Sequence, residues 1–269
     1  MRKTTTLGIA ALAVVLASAA CFIPIYLPDS GSEQPRNEFH QVVALEPGGA
    51  VSLENYSGDI EIRGWDRNEV EITAEDDWNR AYGRRTWFSG WGSGSSTPEI
   101  EVDKIENYVK IRNRISGRED EIRTVHFTVH VPRSVDLRDV RSRDGSILIA
   151  DLYGRIQADL EDGDIKVENF SGSLDLSLGS GTVEAEVLDL RPDDSVRIHA
   201  KEGPVTLFLQ PEANARIEAS AVNGAVTAEF DLGQPLPAKK VSAKIGAAAD
   251  AASVSVTALD GNIALNKVK

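Results

Sequence analysis

Two histidines of this 269-residue chain have a spacing that could bind a metal ion. His126 and His130 are four residues apart, which on a helix brings two imidazoles onto one zinc ion. Apolar residues occupy every second position from 125 to 131, however, and this alternation predicts a strand. Four residues along a strand span about 13 Å, so the two side chains cannot share one ion. We expect them to be exposed strand residues, and the isolated His40 and His199 suggest no role.

Acidic residues occur at several expected turns, in a pattern that could bind calcium ions. They are Asp144, Glu161, Asp162 and Asp164. A calcium-binding β-roll needs a glycine pair and an aspartate at fixed places in every nonapeptide. Each unit here has one glycine, and the flanking acid is missing at Gly154 and Gly172. These residues are therefore predicted to be solvated turn carboxylates, and we expect no metal ion or other cofactor.

The chain carries none of the common catalytic motifs. It has no Gly-x-Ser-x-Gly elbow, phosphate-binding loop, HExxH sequence or cysteine nucleophile. Some β-helix proteins cleave polysaccharides with charged residues on an outer sheet, and Lys166, Asp175 and Glu184 could face outward in that way. Outward charge is equally the default for a soluble β-protein. The prediction is a protein that is not an enzyme, with a polysaccharide-active β-helix enzyme as the alternative.

One segment, residues 76–98, combines aromatic and basic side chains in an otherwise acidic protein. Aromatic residues beside arginine are typical of binding hot spots, so this insert is the candidate binding loop for a glycan or an envelope partner. Its candidate residues are Trp78, Arg84, Arg85, Trp87, Phe88 and Trp91. Two other interpretations stay open: an apolar cap over an open end of a sheet, or a disordered loop.

The element that positions these residues is a glycine repeat. Glycines fall nine residues apart, and apolar side chains sit two and four residues after each of them. The repeat consists of Gly145, Gly154, Gly163, Gly172 and Gly181, and related units begin at Gly58, Gly203, Gly224 and Gly261. Each unit predicts a strand of about five residues with an apolar inner face, followed by a corner at which glycine supplies a positive φ.

Two architectures fit this repeat. In a solenoid, two units make a coil of eighteen residues, and the longer spacings from 181 to 203 and from 203 to 224 make slightly larger coils. In a β-sandwich or meander, the same units fold back as hairpins. We favour an all-β, right-handed β-solenoid-like stack of short strands with glycine corners, because unbroken spacing suits identical stacked corners.

The segments "GDIEIRGWDRNEVEI", "VHVPRSVDL" and "RDGSI", with the glycine ladder that follows, resemble a bacterial family described as putative adhesins with β-strand repeats. The resemblance covers residues 39–269. It implies an exported, solenoid-like β domain of unknown function, and it brings no functional residues with it.

The N-terminus predicts export. Residues 1–20 contain a basic start and an apolar stretch that ends in small residues, as in a signal peptide or an anchor. Cys21 follows directly and resembles the lipid-attachment cysteine of a bacterial lipoprotein. Two alternatives stay open: residues 7–27 could remain as a membrane anchor, or residues 17–19 could be an ordinary cleavage site. Residues 21–38 are expected to be a tether.

The remaining chain is expected to form an N-terminal β region, residues 39–136, and a glycine-repeat solenoid, residues 137–269. The formal net charge of -13 argues against a nucleic-acid partner, because binding to phosphates needs clustered cations. We therefore expect a non-catalytic module of the cell envelope, periplasmic or at the cell surface, held at the membrane by its N-terminal lipid or helix. Its partner would be an envelope protein or glycan. A further alternative is an accessory factor in envelope assembly or stress sensing.

Overall fold

The computed structural model of the chain describes residues 38–76, 99–114 and 124–268. Within these ranges the secondary structure consists of strands, and no helix there is long and apolar enough to cross a membrane. The strands are β1 (Glu38–Ala44), β2 (Gly49–Glu54), β3 (Ile60–Trp65), β4 (Glu69–Asp76), β5 (Glu99–Ile105), β6 (Tyr108–Arg114), β7 (Val125–Pro132), β8 (Val135–Ala150), β9 (Tyr153–Ser180), β10 (Val183–Asp189), β11 (Ser195–Glu202), β12 (Val205–Leu209), β13 (Ala215–Ala221), β14 (Val226–Ala228), β15 (Lys240–Ile245), β16 (Ala252–Asp260) and β17 (Ile263–Lys267).

The strands stack as a solenoid in which a coil contributes one strand to each of two sheets. The first sheet runs β5, β6, β2, the start of β8, the start and end of β9, β11, β16, β13 and β15. The second sheet runs β1, β4, β7, β3, the end of β8, the middle of β9, β10, β12, β17 and β14. Because β8 and β9 continue round the corners, all strands belong to one hydrogen-bonded network.

The core lies between the two sheets and is made by the glycine repeat. Every apolar pair that follows a repeat glycine from 145 to 181 is buried, as are the third apolar residues of these units. The pairs are Ile147 and Ile149, Ile156 and Ala158, Ile165 and Val167, Leu174 and Leu176, and Val183 and Ala185. Neighbouring coils of the repeat pair in parallel, whereas hairpins would pair antiparallel. The all-β, solenoid-like prediction is confirmed.

Corner glycines of successive coils stack directly on one another. Gly163 has a φ of 132°, and a Cβ on it would overlap the carbonyl oxygen of Gly145. Gly181 stands in the same way over Gly163, with the same φ. Glycine is therefore needed here both for the backbone conformation and for the close approach of the next coil.

The order of coils in space differs from their order in the sequence. The spacing between Gly203 and Gly224 predicts two consecutive coils, but this prediction is wrong. The coil made of β16 and β17 lies between them, pairing with β11 and β12 on one side and with β13 and β14 on the other. A C-terminal segment therefore occupies an interior place in the stack.

The N-terminal strands show the same kind of insertion. The coil made of β2 and β3 lies between the strands β6 and β7 and the later strand β8. Residues 39–136 and 137–269 consequently contribute to the same two sheets. Strand β17 is likewise not an edge strand, because β12 and β14 flank it on both sides.

Candidate functional site

The residues singled out most strongly by the sequence lie outside the described part of the structure. They are Cys21, the expected lipid-attachment residue, and Trp78, Arg84, Arg85, Trp87, Phe88 and Trp91 of the candidate binding loop. The export signal, the anchor and most of the tether lie outside it too. These assignments stay predictions.

His126 and His130 lie on a strand, as predicted, and contact different carboxylates. Nδ1 of His126 lies 3.1 Å from Oδ2 of Asp59, and Nδ1 of His130 lies 3.7 Å from Oε2 of Glu71. The side chains of His126 and His130 are 21% and 35% exposed, so they are half-buried and not fully exposed. The described residues contain no group of three or more side chains able to hold a metal ion.

Glu71 joins three strands at one end of the second sheet. Besides His130 it pairs with His40 on β1, whose Nε2 lies 3.0 Å from Oε1, a contact that the isolated position of His40 in the sequence did not indicate. The His40 side chain accordingly lowers the pKa of Glu71. Trp65 stacks on His130 with 5.1 Å between ring centroids, and the guanidinium of Arg67 lies over the Trp65 ring. These side chains are therefore partners of one another, and their contacts stabilise the end of the sheet.

Asp59 joins three coils through its carboxylate. Ser146 donates to Oδ1 from its backbone nitrogen at 3.0 Å and from its hydroxyl at 2.6 Å, while His126 lies beside Oδ2. Partial burial alone would raise the pKa of Asp59, but the Ser146 hydrogen bonds and the nearby His126 outweigh it and hold the pKa below its ordinary value. The folded state therefore favours the carboxylate form.

Asp59→Ala is expected to lower the free energy of unfolding by about 1 kcal/mol at pH 7, because Ser146 loses its acceptor. Since the folded pKa lies below the ordinary value of 3.8, this stabilisation is complete above that value and disappears as the pH falls through the folded pKa. Urea denaturation between pH 7 and pH 3 measures the difference. Asp66→Ala is the control, because Asp66 is 84% exposed and its ion pair with Arg133 contributes little. A difference that grows toward pH 3 would contradict the prediction.

Asp164 uses its carboxylate in the same way two coils further along the stack. Its Oδ1 accepts a hydrogen bond of 2.8 Å from the backbone nitrogen of Thr182 in the next coil. Asn262 repeats the contact with the backbone of Ala225 at 3.0 Å. The residue after a corner glycine thus links adjacent coils, a role that the sequence did not reveal for the acidic turns.

Of the three charged residues considered for polysaccharide cleavage, Lys166 and Glu184 lie together, and Asp175 lies apart from them. Lys166 lies between Glu168 and Glu184 on the second sheet, at 2.8 and 3.6 Å. Asp175 lies on the first sheet, next to Arg197. The hydrogen bond that Lys166 donates to the carboxylate of Glu168 raises the pKa of Lys166, so its amine stays protonated and is a poor base. Nothing in this arrangement supports the enzyme alternative.

A cleft of about 540 Å³ opens at a different corner of the solenoid. Tyr153 at the start of β9, a residue that is 52% exposed, lines the cleft on one side of Ser171. The turn between β10 and β11, with Arg191 and the acidic residues around it, lines the cleft on the other side of Ser171. The lining comprises Ser134, Tyr153, Gly154, Ser171, Gly172, Asp189, Arg191 and Asp194.

The shape of the cleft follows from its glycines and from a longer turn. Gly154 and Gly172 belong to successive coils and stack on each other, so these two positions add no side chain to the floor of the cleft. The next connection is longer, since residues 190–194 separate β10 from β11. Its turn is closed by a hydrogen bond of 2.9 Å from the Asp194 nitrogen to the Arg191 carbonyl. The cleft therefore forms where the two short corners at Gly154 and Gly172 lie next to the longer connection of residues 190–194.

The carboxylate of Asp194 is held in a fixed position within the cleft. Oδ1 accepts from the Ser173 hydroxyl at 3.2 Å, and Oδ2 accepts from the Arg191 backbone nitrogen at 2.8 Å. The Ser173 oxygen in turn accepts from the Ser195 nitrogen at 3.2 Å. By contrast, the Arg191 guanidinium and the Asp189 carboxylate make no hydrogen bond or ion pair within the described residues. The cleft thus contains one carboxylate that is held by hydrogen bonds and two charged groups that have no partner within the described residues.

Sequence reasoning did not single out any residue of this cleft as functional. The available signal was the interruption of the nine-residue spacing between Gly181 and Gly203, where Arg191 and its neighbours are inserted. That spacing was interpreted only as a larger coil. The two sides of the cleft, moreover, come from residues about forty positions apart, and nothing local in the sequence indicates that they lie in one cleft.

The sequence profile of a family described as Toastrack DUF4097 matches residues 93–266, which is more than half of the chain. This match includes all the residues that line the cleft. No curated protein matches the chain.

Several solved bacterial structures match the chain over nearly their whole length. A putative cell adhesion protein from Clostridium sporogenes is 13% identical, with a TM-score of 0.44 over 86% of this chain and 100% of that chain. A putative adhesin from Bacteroides fragilis is also 13% identical, with a TM-score of 0.37 over 86% and 97% of the two chains. A putative adhesin from Parabacteroides merdae is 8% identical, with a TM-score of 0.39 over 88% and 98%.

Proposed function

The chain belongs to the Toastrack DUF4097 family, and from that premise we propose that it is an exported, non-catalytic solenoid that binds a component of the cell envelope. The binding site is the cleft between Tyr153 and Arg191. The N-terminal segment, through a lipid on Cys21 or as an uncleaved anchor, holds the solenoid at the membrane. Residues 21–38 act as the tether.

The observation that carries this proposal is the set of groups that the cleft brings together in one concave place. Unpaired charges also occur elsewhere on the solenoid, for example at Lys201 and Arg216, which have no partner within the described residues. The cleft differs because its lining joins an exposed tyrosine, Tyr153, to the Arg191 guanidinium and the Asp189 carboxylate, neither of which has a partner within the described residues. Concave sites with a few convergent polar groups are the usual places for ligands.

The candidate binding loop contributes a second contact in this proposal. The strand that precedes the loop, β4, and the strand that follows it, β5, lie at the end of the solenoid that carries β1, whereas the cleft lies at the corners of β9. The tryptophans of the loop would extend the contact with a large partner, and the cleft would supply its specificity. The same module could serve adhesion or an accessory role in envelope assembly, because both need a tethered binding surface.

The immobilised chain is expected to retain envelope material from the producing bacterium, and the variant with both Tyr153→Ala and Arg191→Ala to retain at least about tenfold less, as for a disrupted hot spot. Captured carbohydrate and protein are quantified separately after elution. The matched control is the variant with both Val222→Ala and Lys201→Ala, which also removes one exposed apolar and one basic side chain, outside the cleft. Equal retention by the cleft variant and the control would overturn the proposal.

A further inference from the structure

We infer that the cleft is a site for an uncharged glycan, with Tyr153 as the surface on which a sugar ring stacks. This inference rests on the proposed function and names the chemistry of its ligand. Three features of the cleft carry it: the free aromatic face, the fixed hydrogen-bonding groups on the other side of Ser171, and the sign of the charge.

Tyr153 is placed so that a ligand can reach its ring. In the stack of corners its neighbours are Ser134 on one side and Ser171 on the other, both small. The following residue, Gly154, and its stacked neighbour Gly172 add no side chain in front of the ring. An aromatic side chain that is half exposed between small residues offers an apolar face of the kind that packs on the C–H face of a sugar.

The other side of the cleft supplies both donors and acceptors. Arg191 presents a fork of N–H donors, and Asp189 presents a carboxylate, and such charged groups make the stronger hydrogen bonds to hydroxyls. Their turn is rigid, because Asp194 accepts from the Arg191 backbone and Pro192 fixes one φ within it. Ser134 and Ser171 add hydroxyls at the rim. Alternating donors and acceptors match the vicinal hydroxyls of a sugar.

The charges of the cleft exclude an acidic glycan. The lining carries two carboxylates, those of Asp189 and Asp194, and one guanidinium, that of Arg191, within a protein of net charge -13. A uronate or phosphate would meet net repulsion here, as like charges disfavour binding. A purely apolar ligand would instead bury Asp189 and Arg191 without hydrogen bonds, which is costly. An uncharged oligosaccharide avoids both penalties.

The test is titration of the full-length protein, followed by NMR or calorimetry, with two probes of similar size: chitotriose, which is uncharged, and trigalacturonate, which is acidic. We expect chitotriose to bind and trigalacturonate to bind at least about tenfold more weakly, or not at all. Tyr153→Ala should weaken chitotriose binding at least about tenfold, whereas Tyr153→Phe, which keeps the ring, should stay within about threefold of the wild type. Val222→Ala is the control for loss of an exposed apolar side chain elsewhere.

The outcomes separate the inference from the proposed function. If neither probe binds but Tyr153→Ala with Arg191→Ala still abolishes capture of envelope material, the glycan inference is wrong and the binding function stands. If trigalacturonate binds more tightly than chitotriose, the charge argument is overturned. If chitotriose binding survives Tyr153→Ala, the site is not this cleft. If neither binding nor cleft-dependent capture is seen, both proposals fail.

Discussion

Gly163→Ala is expected to lower the free energy of unfolding by about 3 kcal/mol, one of the largest effects of any single methyl group in this protein. Gly163 has a φ of 132°, a conformation that residues with a Cβ rarely adopt. The added Cβ would also overlap the backbone carbonyl of Gly145. A flexible side chain could move away from such a contact, but this carbonyl belongs to β8, which is paired on both sides.

Thermal and urea unfolding measure this loss, and the melting temperature should fall by about 10 °C for a domain of this size. Gly233→Ala is the matched control. Gly233 also has a positive φ, of 66°, but nothing lies within 4 Å of the place its Cβ would take. The control should therefore cost only about 1 kcal/mol, the strain of a left-handed backbone. Equal losses in the two variants would show that stacking of the glycines contributes nothing.

The glycine repeat could be interpreted from the sequence because the alternation of apolar and polar residues within each unit identifies the side chains on its inner face. Side chains alternate across a strand, so Ile165 and Val167 must lie on the same side, and burial of one implies burial of the other. The corner at Gly163 was also predictable, because glycine readily adopts the positive φ that such a corner needs. These features depend on residues within one unit, whereas the close approach of Gly163 to Gly145 depends on stacking and was not predicted.

The order of coils was not predictable in the same way. Whether Val205 lies beside Val226 or beside Ile263 depends on which strand pairs with β12, and all three residues follow a glycine in the same pattern. The choice is made by contacts far apart in the sequence. The cleft was missed for a related reason, because Tyr153 and Arg191 belong to separate coils that meet only after stacking.

A chain that lacks residues 252–269 is expected to lose cooperative folding altogether. In a solenoid with sequential coils, removing the last coil exposes one new end and leaves the other coils intact. Here the removed strands β16 and β17 lie inside the stack, so β11 and β12 lose one neighbour and β14 loses its parallel neighbour. Ala252, Val254, Val256, Ile263 and Leu265, all fully buried, leave the core with them. Burial of each of the four larger side chains contributes about 1.5–3 kcal/mol, so their joint loss is comparable to the total stability of a typical domain, about 5–15 kcal/mol.

Urea unfolding followed by circular dichroism checks the truncated chain, with Lys267→Ala as a control that keeps the coil but changes its surface. A cooperative transition near that of the full chain would contradict the interior placement.

Cysteine pairs introduced into a chain that also carries Cys21→Ser test the placement itself. Thr206 and Ala264 are register neighbours, so their cysteine pair should form a disulfide on oxidation. Thr206 and Thr227 are separated by β17, so their Cα atoms lie about 9 to 10 Å apart and their cysteine pair should not form a disulfide. These two residues would be neighbours if the two coils were consecutive. Crosslinking of the second pair but not the first would show that the coils stack in the order of the sequence. The C-terminal coil could then be removed without loss of the other coils.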